Sequence, residues 1–308
     1  MPDPITLSAL RSGGKAALAH ALARIEKAPD DSDVIDLLSE AYTAPRAMVA
    51  GMTGPPGVGK STMMNALIQG WRKRGRTVAC IAIDPSSRRS GGALLGDRTR
   101  LSTDPEDQGI FVRSMAARDR LGGLAGLTVS AMVLMRALYD IVLIETVGVG
   151  QSETDVAGVV DTVILCVQPG SGDSLQYMKA GIAEIPHIIA VTKADMGAAA
   201  ERTRADVVGA LSLTEGADDW QIPVLMLSAA QARGIDDLIG AVDAHADHLQ
   251  EEGRLASVRK EQAAQWLVDS VRERYGRDGL RRAGYLGLDG EDSPFRRLAE
   301  VSRRLSPQ

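Results

Sequence analysis

The chain has 308 residues, 44% of them hydrophobic and only 3% aromatic, with a formal net charge of −5. That length suits one large domain with appendages or two small ones, with a core built from Ala, Val, Ile, Leu and Met. The acidic balance disfavours a nucleic-acid binder that relies on neutralising phosphates, and the absence of both an N-terminal charged-then-apolar signal and any apolar run of roughly 18 residues argues for a cytoplasmic protein with no membrane association.

In chain order, residues 1–45 contain no strand pattern. Residues 15–27 and 32–42 read as helices, the second with Asp31 or Ser32 at its cap. Seven short runs rich in Val and Ile follow, at 47–53, 77–83, 110–113, 141–146, 163–168, 188–192 and 224–227. They are continuous rather than alternating, the pattern of strands covered on both faces. The segments between them have helical length, as in 61–74 with Gly75 as a stop. Together with the Gly54-x-x-x-x-Gly59-Lys60-Ser61 loop between the first strand and the helix after it, this predicts an α/β fold, a P-loop NTPase with a mostly parallel, doubly wound sheet, plus helical N- and C-terminal extensions. Cys80 and Cys166 fall inside the apolar runs and read as buried thiols. After about residue 250 the pattern is helical and charged. The stripe Leu255, Val258, Ala263, Trp266, Leu267 and Val271 on a helix over 254–275 suits docking on the chain's own sheet domain or an arm onto a second subunit. Residues 276–293 read as a loop. The expected domains are 1–45, a helical extension; 46–250, the nucleotide-binding domain; and 251–308, a helical arm.

Gly54, Pro55, Pro56, Gly57, Val58, Gly59, Lys60 and Ser61, followed by Thr62, match G-x-x-x-x-G-K-[ST] after a strand and before a helix. In such a loop, glycines turn backbone N–H groups onto phosphates and the helix N-terminus adds partial positive charge. Lys60 would reach the β- and γ-phosphates, and Ser61 would hold Mg²⁺. About 130 residues later, Thr192, Lys193, Ala194 and Asp195 end a strand and match [NT]-K-x-D. A carboxylate at Asp195 accepts two hydrogen bonds from guanine that adenine cannot offer. The Lys193 stem lies along the base, and Thr192, in place of the commoner Asn, is expected to loosen the tie to the P-loop. Ser228, Ala229 and Ala230 fit a further guanine-contacting turn. Glu145, three residues before Gly148, fits a Mg²⁺-side carboxylate with a γ-phosphate-sensing Gly. Asp84 and Asp97 lie on loops expected at the phosphate end and are further candidates for the Mg²⁺ shell, directly or through water; a solvated Asp97 paired with Arg98 or Arg100 is the competing reading.

The runs Ile83 to Ser87, Ser90 to Arg100 and Glu145 to Glu153 together resemble the MeaB/ArgK family over most of residues 45–250. The resemblance implies a GTPase, converting GTP to GDP and phosphate, that acts as chaperone of a B12-dependent acyl-CoA mutase (methylmalonyl-CoA mutase or a relative), gating loading and repair of adenosylcobalamin. The cobalamin belongs to the partner; the chain's own ligands are GTP or GDP and Mg²⁺. The resemblance also implies a homodimer, makes Glu145 the family norm, and gives Lys179, within the run Gly170 to Gly181, a role in partner-stimulated hydrolysis beside Lys60 and Glu145. Two other functions stay open. One is a metallochaperone GTPase for a nickel or cobalt enzyme, for which His245 and His248, at i and i+3 on a helix, are candidate ligands against the alternative of a solvated helix face. The other is a kinase or ATPase of amino-acid transport, against which the guanine-type motif at Asp195 counts.

Overall fold

The computed structural model describes residues 5–85, 103–117, 126–146, 155–170, 186–212, 219–290 and 292–306. All seven expected strands form: β1 (Met48–Thr53), β2 (Val78–Pro85), β3 (Ile110–Ala117), β4 (Ile141–Glu145), β5 (Thr162–Val167), β6 (Ile188–Val191) and β7 (Val224–Met226). They make one parallel sheet in the order β3-β2-β4-β1-β5-β6-β7. Parallel neighbours need helical crossovers, and helices on both faces explain why the central strands are apolar at most positions, with polar residues mainly at their ends. Alternate residues separate cleanly. Met52, Leu143, Ile164, Cys166 and Ala190 bury against Met64, Leu67 and Trp71 of α3 (Lys60–Lys73). Leu165, Val167, Ile189 and Val191 bury on the opposite face with Ala200 and Val207 of α5 (Ala198–Leu211). The order reverses around β1, which lies between β4 and β5, so a ligand crevice is expected beyond the carboxyl ends of these three strands.

The chain divides into two compact units. The first holds the sheet and spans 48–124 and 141–255. The second is helical and gathers 1–47, 125–140 and 256–308. Its helices are α1 (Leu7–Lys27), α2 (Ser32–Thr43), α4 (Gly126–Leu138), most of α7 (Arg254–Ala283), and α8 (Pro294–Leu305). Thus α4, inside the 46–250 segment in chain order, packs on the N-terminal helices α1 and α2 and belongs to the unit that also holds the C-terminal helices. Ala263, Leu267 and Val271 of α7 bury with Leu298, Val301 and Leu305 of α8, and Trp266 meets the ring of Phe295 at 5.0 Å. Ala263, Trp266, Leu267 and Val271 of the α7 stripe are therefore used within this helical unit, while Leu255 and Val258 stay half-buried outside its core. Arg136 of α4 is buried, with its guanidinium 5.9 Å from the centre of the Tyr42 ring.

Two boundaries differ from expectation for one reason. The first helix begins at Leu7 and bends at Gly14 (φ 61°), and the long C-terminal helix bends at Gly276 (φ 67°) and resumes to Ala283, inside the expected loop. A glycine in the left-handed region interrupts a helix without ending it when apolar residues continue beyond it. Asp31 does stand at the cap of α2, but its side chain makes no capping bond there.

The histidine pair also departs from expectation. His245, on α6 (Ile235–Gln250), is buried rather than solvated. Its Nδ1 lies 2.8 Å from the Thr162 hydroxyl, and its ring stacks on His187 at 4.3 Å. His187 Nδ1 accepts the Val163 amide at 2.9 Å, so the ring keeps its proton on the other nitrogen. Burial, then the neighbouring His187 and His248, pull the His245 pKa down from 6.5 to about 3. The unfolded chain therefore binds more protons below about pH 6.5, and this contribution to stability is lost as pH falls. Between pH 6 and pH 5, wild-type protein should lose up to about 1.4 kcal/mol of unfolding free energy more than a His245→Gln variant. Denaturant titrations at the two pH values check this, and equal slopes for the two proteins would contradict it.

Candidate active site

The P-loop joins β1 to α3. Gly54, Gly57 and Gly59 all have positive φ, of 133°, 75° and 103°. Gly54 is also sterically obligatory, since a Cβ there would meet the Cys166 carbonyl oxygen on β5 at 2.3 Å. Gly59 caps α3 with no side-chain hydrogen bond. The first amides of α3, at Lys60, Ser61 and Thr62, lie ahead of the first helical acceptors and aim their N–H groups out of the helix end, a cradle for an anion. Pro56, Gly57 and Thr62 are exposed, whereas Val58 is buried and anchors the loop. Lys60 is 6% exposed, and its Nζ donates to the carbonyls of Gly54 at 2.7 Å and Pro55 at 3.1 Å. The ammonium is thus held over the loop it serves.

Glu145 ends β4, in register with Met52 on β1 and Ala82 on β2. It is 7% exposed, and its Oε1 accepts the Ser61 hydroxyl at 2.8 Å. A hydroxyl oxygen and a carboxylate brought together at the head of the phosphate cradle are hard oxygen donors of the kind Mg²⁺ takes, so the residues fit that ion. Beside them Thr146 is buried, its amide and hydroxyl both directed to the Met52 carbonyl at 3.1 and 3.4 Å. The Cys166 thiol, on β5 beyond β1, is pushed up to about 12 by burial, with Lys60 acting against it and Glu145 adding to it. It stays a neutral thiol, and Cys80, also buried, is raised by burial and by Glu145. Asp84 lies on β2, two residues beyond the partner of Glu145; its side chain lies outside the described residues, as do Asp97, Gly148 and Lys179 altogether.

The base-reading motif sits at the end of β6. The Thr192 hydroxyl donates to the Val58 carbonyl at 2.7 Å, with the Val167 carbonyl at 3.0 Å, and its amide donates to Val167 at 2.8 Å. Threonine at this place therefore keeps a tie to the P-loop through a single hydroxyl. The β-branched side chain reaches the loop with one hydroxyl, buried at 2% exposure. Lys193 takes the left-handed conformation (φ 53°, ψ 40°), which costs a non-glycine residue on the order of 1 kcal/mol. Its Nζ donates to the Gly57 carbonyl at 3.0 Å and to Gln168 Oε1 at 2.5 Å. Asp195 is exposed, and its Oδ1 accepts the Ser228 hydroxyl at 2.6 Å. That bond first, then a backbone N–H and Lys193, hold its carboxyl below the usual range, so it is an acceptor at neutral pH. Ser228 is fixed in turn by two backbone bonds with Arg233, in a turn that carries Ala229 and Ala230. The turn closes at Gly234 (φ 75°), where a Cβ would meet the Met226 carbonyl oxygen at 2.6 Å. The structure thus gathers the P-loop, Ser61, Glu145, Thr192, Lys193, Asp195 and Ser228 at the carboxyl ends of β1, β4, β6 and β7. Gln168 also belongs to this group. Sequence patterns do not single it out; the one available signal is a polar residue closing an otherwise apolar strand.

Because the Val58 carbonyl is buried with the Thr192 hydroxyl as donor, Thr192→Val should lower unfolding free energy by about 1–3 kcal/mol and weaken nucleotide binding as the loop loosens. Thr192→Ser should restore most of both. Urea titration together with nucleotide binding checks this, and an unchanged Thr192→Val protein would contradict it.

Comparisons with known proteins agree with this geometry. The family model for the methylmalonyl-CoA mutase-associated GTPase MeaB matches residues 18–279. The GTPase ArgK of Escherichia coli is 36% identical over 276 residues, covering 86% of this chain and 82% of that protein. The crystal structure of a LAO/AO transport system kinase is similar over 96% of both chains, with a TM-score of 0.69 and 28% identity. HypB from Helicobacter pylori, solved with nickel, shares the fold over 71% of this chain and 96% of its own, at a TM-score of 0.51 and 16% identity. With a P-loop, a guanine-type reader and a family match over most of its length, the chain belongs to the MeaB family of GTPases.

Proposed function

We propose that this GTPase serves as the nucleotide-driven chaperone of a B12-dependent acyl-CoA mutase, coupling GTP hydrolysis to loading and repair of the partner's adenosylcobalamin. The observation that carries the reading is the Asp195 carboxylate, held by Ser228 at 2.6 Å beside a P-loop that Thr192 and Lys193 strap to the same strand ends, in a chain whose family is named for association with methylmalonyl-CoA mutase.

In this reading Asp195 accepts the guanine N1–H and exocyclic amine, the Lys193 stem lies along the base, and the turn at Ser228, Ala229 and Ala230 meets the guanine carbonyl. Gly54 to Thr62 wrap the phosphates, and Lys60 leaves the carbonyls of Gly54 and Pro55 for the β- and γ-phosphates. Ser61 and Glu145 would hold Mg²⁺, with Asp84 and Asp97 as further candidates, and an ion held there would supply positive charge to offset that developing on the phosphates. Gly148 senses the γ-phosphate through its N–H. Hydrolysis by the chain alone is slow, and Lys179, brought to the phosphates by the mutase, adds the missing cation. The protein acts in the cytoplasm as a homodimer, and the helical segments at the two ends of the chain are the candidates for the dimer contacts.

The metallochaperone alternative draws no support from the histidines. His245 Nδ1 is engaged by Thr162, and the Arg254 guanidinium stands 3.3 and 2.9 Å from the two nitrogens of His248. A cation already sits where the second imidazole would have to take a metal. Likeness to HypB at 16% identity is a likeness of fold.

Two measurements test the proposal. GTP turnover should rise roughly 10³–10⁵-fold when the cognate mutase is added, the range seen when a charge is supplied in trans. Lys179→Ala should lose most of that increment, and undiminished stimulation would remove Lys179 from the mechanism. Isothermal titration of the protein with nickel and cobalt should give no stoichiometric site; a tight site abolished by His245→Ala would favour the metallochaperone reading.

A further inference from the structure

We infer that Gln168 is a positioning residue of the guanine site, acting through Lys193: its side-chain carbonyl fixes the ammonium so that the lysine stem lies where the purine docks. The inference rests on the reading of Thr192 to Asp195 as the base reader.

Lys193 is exposed and sits on a left-handed backbone turn between a buried threonine and the base-reading aspartate. A lysine stem in such a place would ordinarily sample many rotamers in water. Here the ammonium meets two acceptors from separate elements, the Gly57 carbonyl of the P-loop at 3.0 Å and Gln168 Oε1 at 2.5 Å. Gln168 comes directly after Val167, whose carbonyl accepts the Thr192 amide and lies near its hydroxyl. Gln168 and the base motif therefore belong to adjacent strand ends joined by backbone pairing between β5 and β6, and the sheet fixes the backbone from which Oε1 reaches Lys193. Three groups converge on one small region: Val58 and Gly57 hold Thr192 and Lys193 from below, Gln168 holds Lys193 from the side, and Ser228 holds Asp195.

The choice of an amide follows from charge. A neutral carbonyl accepts from the ammonium without neutralising it, so the positive charge stays available to the face of the purine. Asp195 then remains the anion that reads the base edge. The amide oxygen is the atom facing Lys193, because the ammonium has donors and no acceptor. The second anchor, Gly57, is a backbone carbonyl, and Gln168 is the half of the clamp that a side-chain change can remove.

The experiment measures GDP and XDP affinity by fluorescent-nucleotide displacement, with steady-state GTP kinetics, for wild type, Asp195→Asn, Gln168→Leu, Gln168→Glu, Lys193→Ala and the Gln168→Leu/Lys193→Ala double variant. Gln168→Leu should weaken GDP about tenfold, mainly through faster release, and raise KM for GTP far more than it changes kcat. Gln168→Glu, which keeps an acceptor at the same reach but neutralises the ammonium, should recover only part of that affinity. In the Lys193→Ala background Gln168→Leu should cost less than twofold more, because its effect runs through the lysine. A Gln168→Leu protein with wild-type GDP affinity, or one whose loss persists in full without Lys193, would overturn the inference. Asp195→Asn separates the two levels: if it leaves GDP affinity intact and gains no XDP binding, the base-reader assignment itself falls.

Discussion

Everything at the nucleotide end of the sheet depends on how closely the P-loop lies against β5 and β6. Gly54 has no room for a side chain because the Cys166 carbonyl oxygen would sit 2.3 Å from its Cβ. The Thr192 hydroxyl then closes the same gap from β6 by donating to the Val58 carbonyl. One steric exclusion and one buried hydrogen bond bring the phosphate cradle and the base reader into a single rigid frame, although they are more than a hundred residues apart in sequence. Preorganisation of this kind spares the cost of assembling the site at the moment of binding.

The frame also explains the division of labour among charged groups. Lys60 and Glu145 are both buried and are held by neutral or oppositely polar partners, the loop carbonyls for one and the Ser61 hydroxyl for the other. Buried ions are tolerable only when hydrogen-bonded. Each of these bonds leaves the group aimed at the head of α3, where phosphate charge would arrive. Lys193 and Asp195 are exposed, and their order comes from Gln168, Gly57 and Ser228. The interior pair suits charge stabilisation, and the surface pair suits recognition of a planar base that must enter and leave.

Much of this was legible in the residues themselves. Continuous Val and Ile runs betrayed strands covered on both faces, and a Gly-rich loop between strand and helix has few other meanings. What escaped notice shares a physical cause: it depends on contacts between distant segments. The polar i, i+3 spacing of His245 and His248 suits a solvated face, and only the approach of Thr162 and His187 makes one of them a core residue. That the threonine at position 192 reaches the P-loop is seen only once the Val58 carbonyl is placed beside it. Gly14 and Gly276 read as helix ends because a local pattern cannot tell an interruption from a stop. Gln168 is one glutamine among several until the sheet places it against Lys193.

The central claim is that the frame around Asp195 is built for guanine. Calorimetric titration of the wild-type protein with GDP and with ADP, each with excess Mg²⁺, tests it most directly. A buried or well-ordered acceptor matched to one base rejects the base that lacks the donors by large factors. The account predicts GDP binding tighter than ADP by at least about a hundredfold; comparable affinities for the two nucleotides would contradict it.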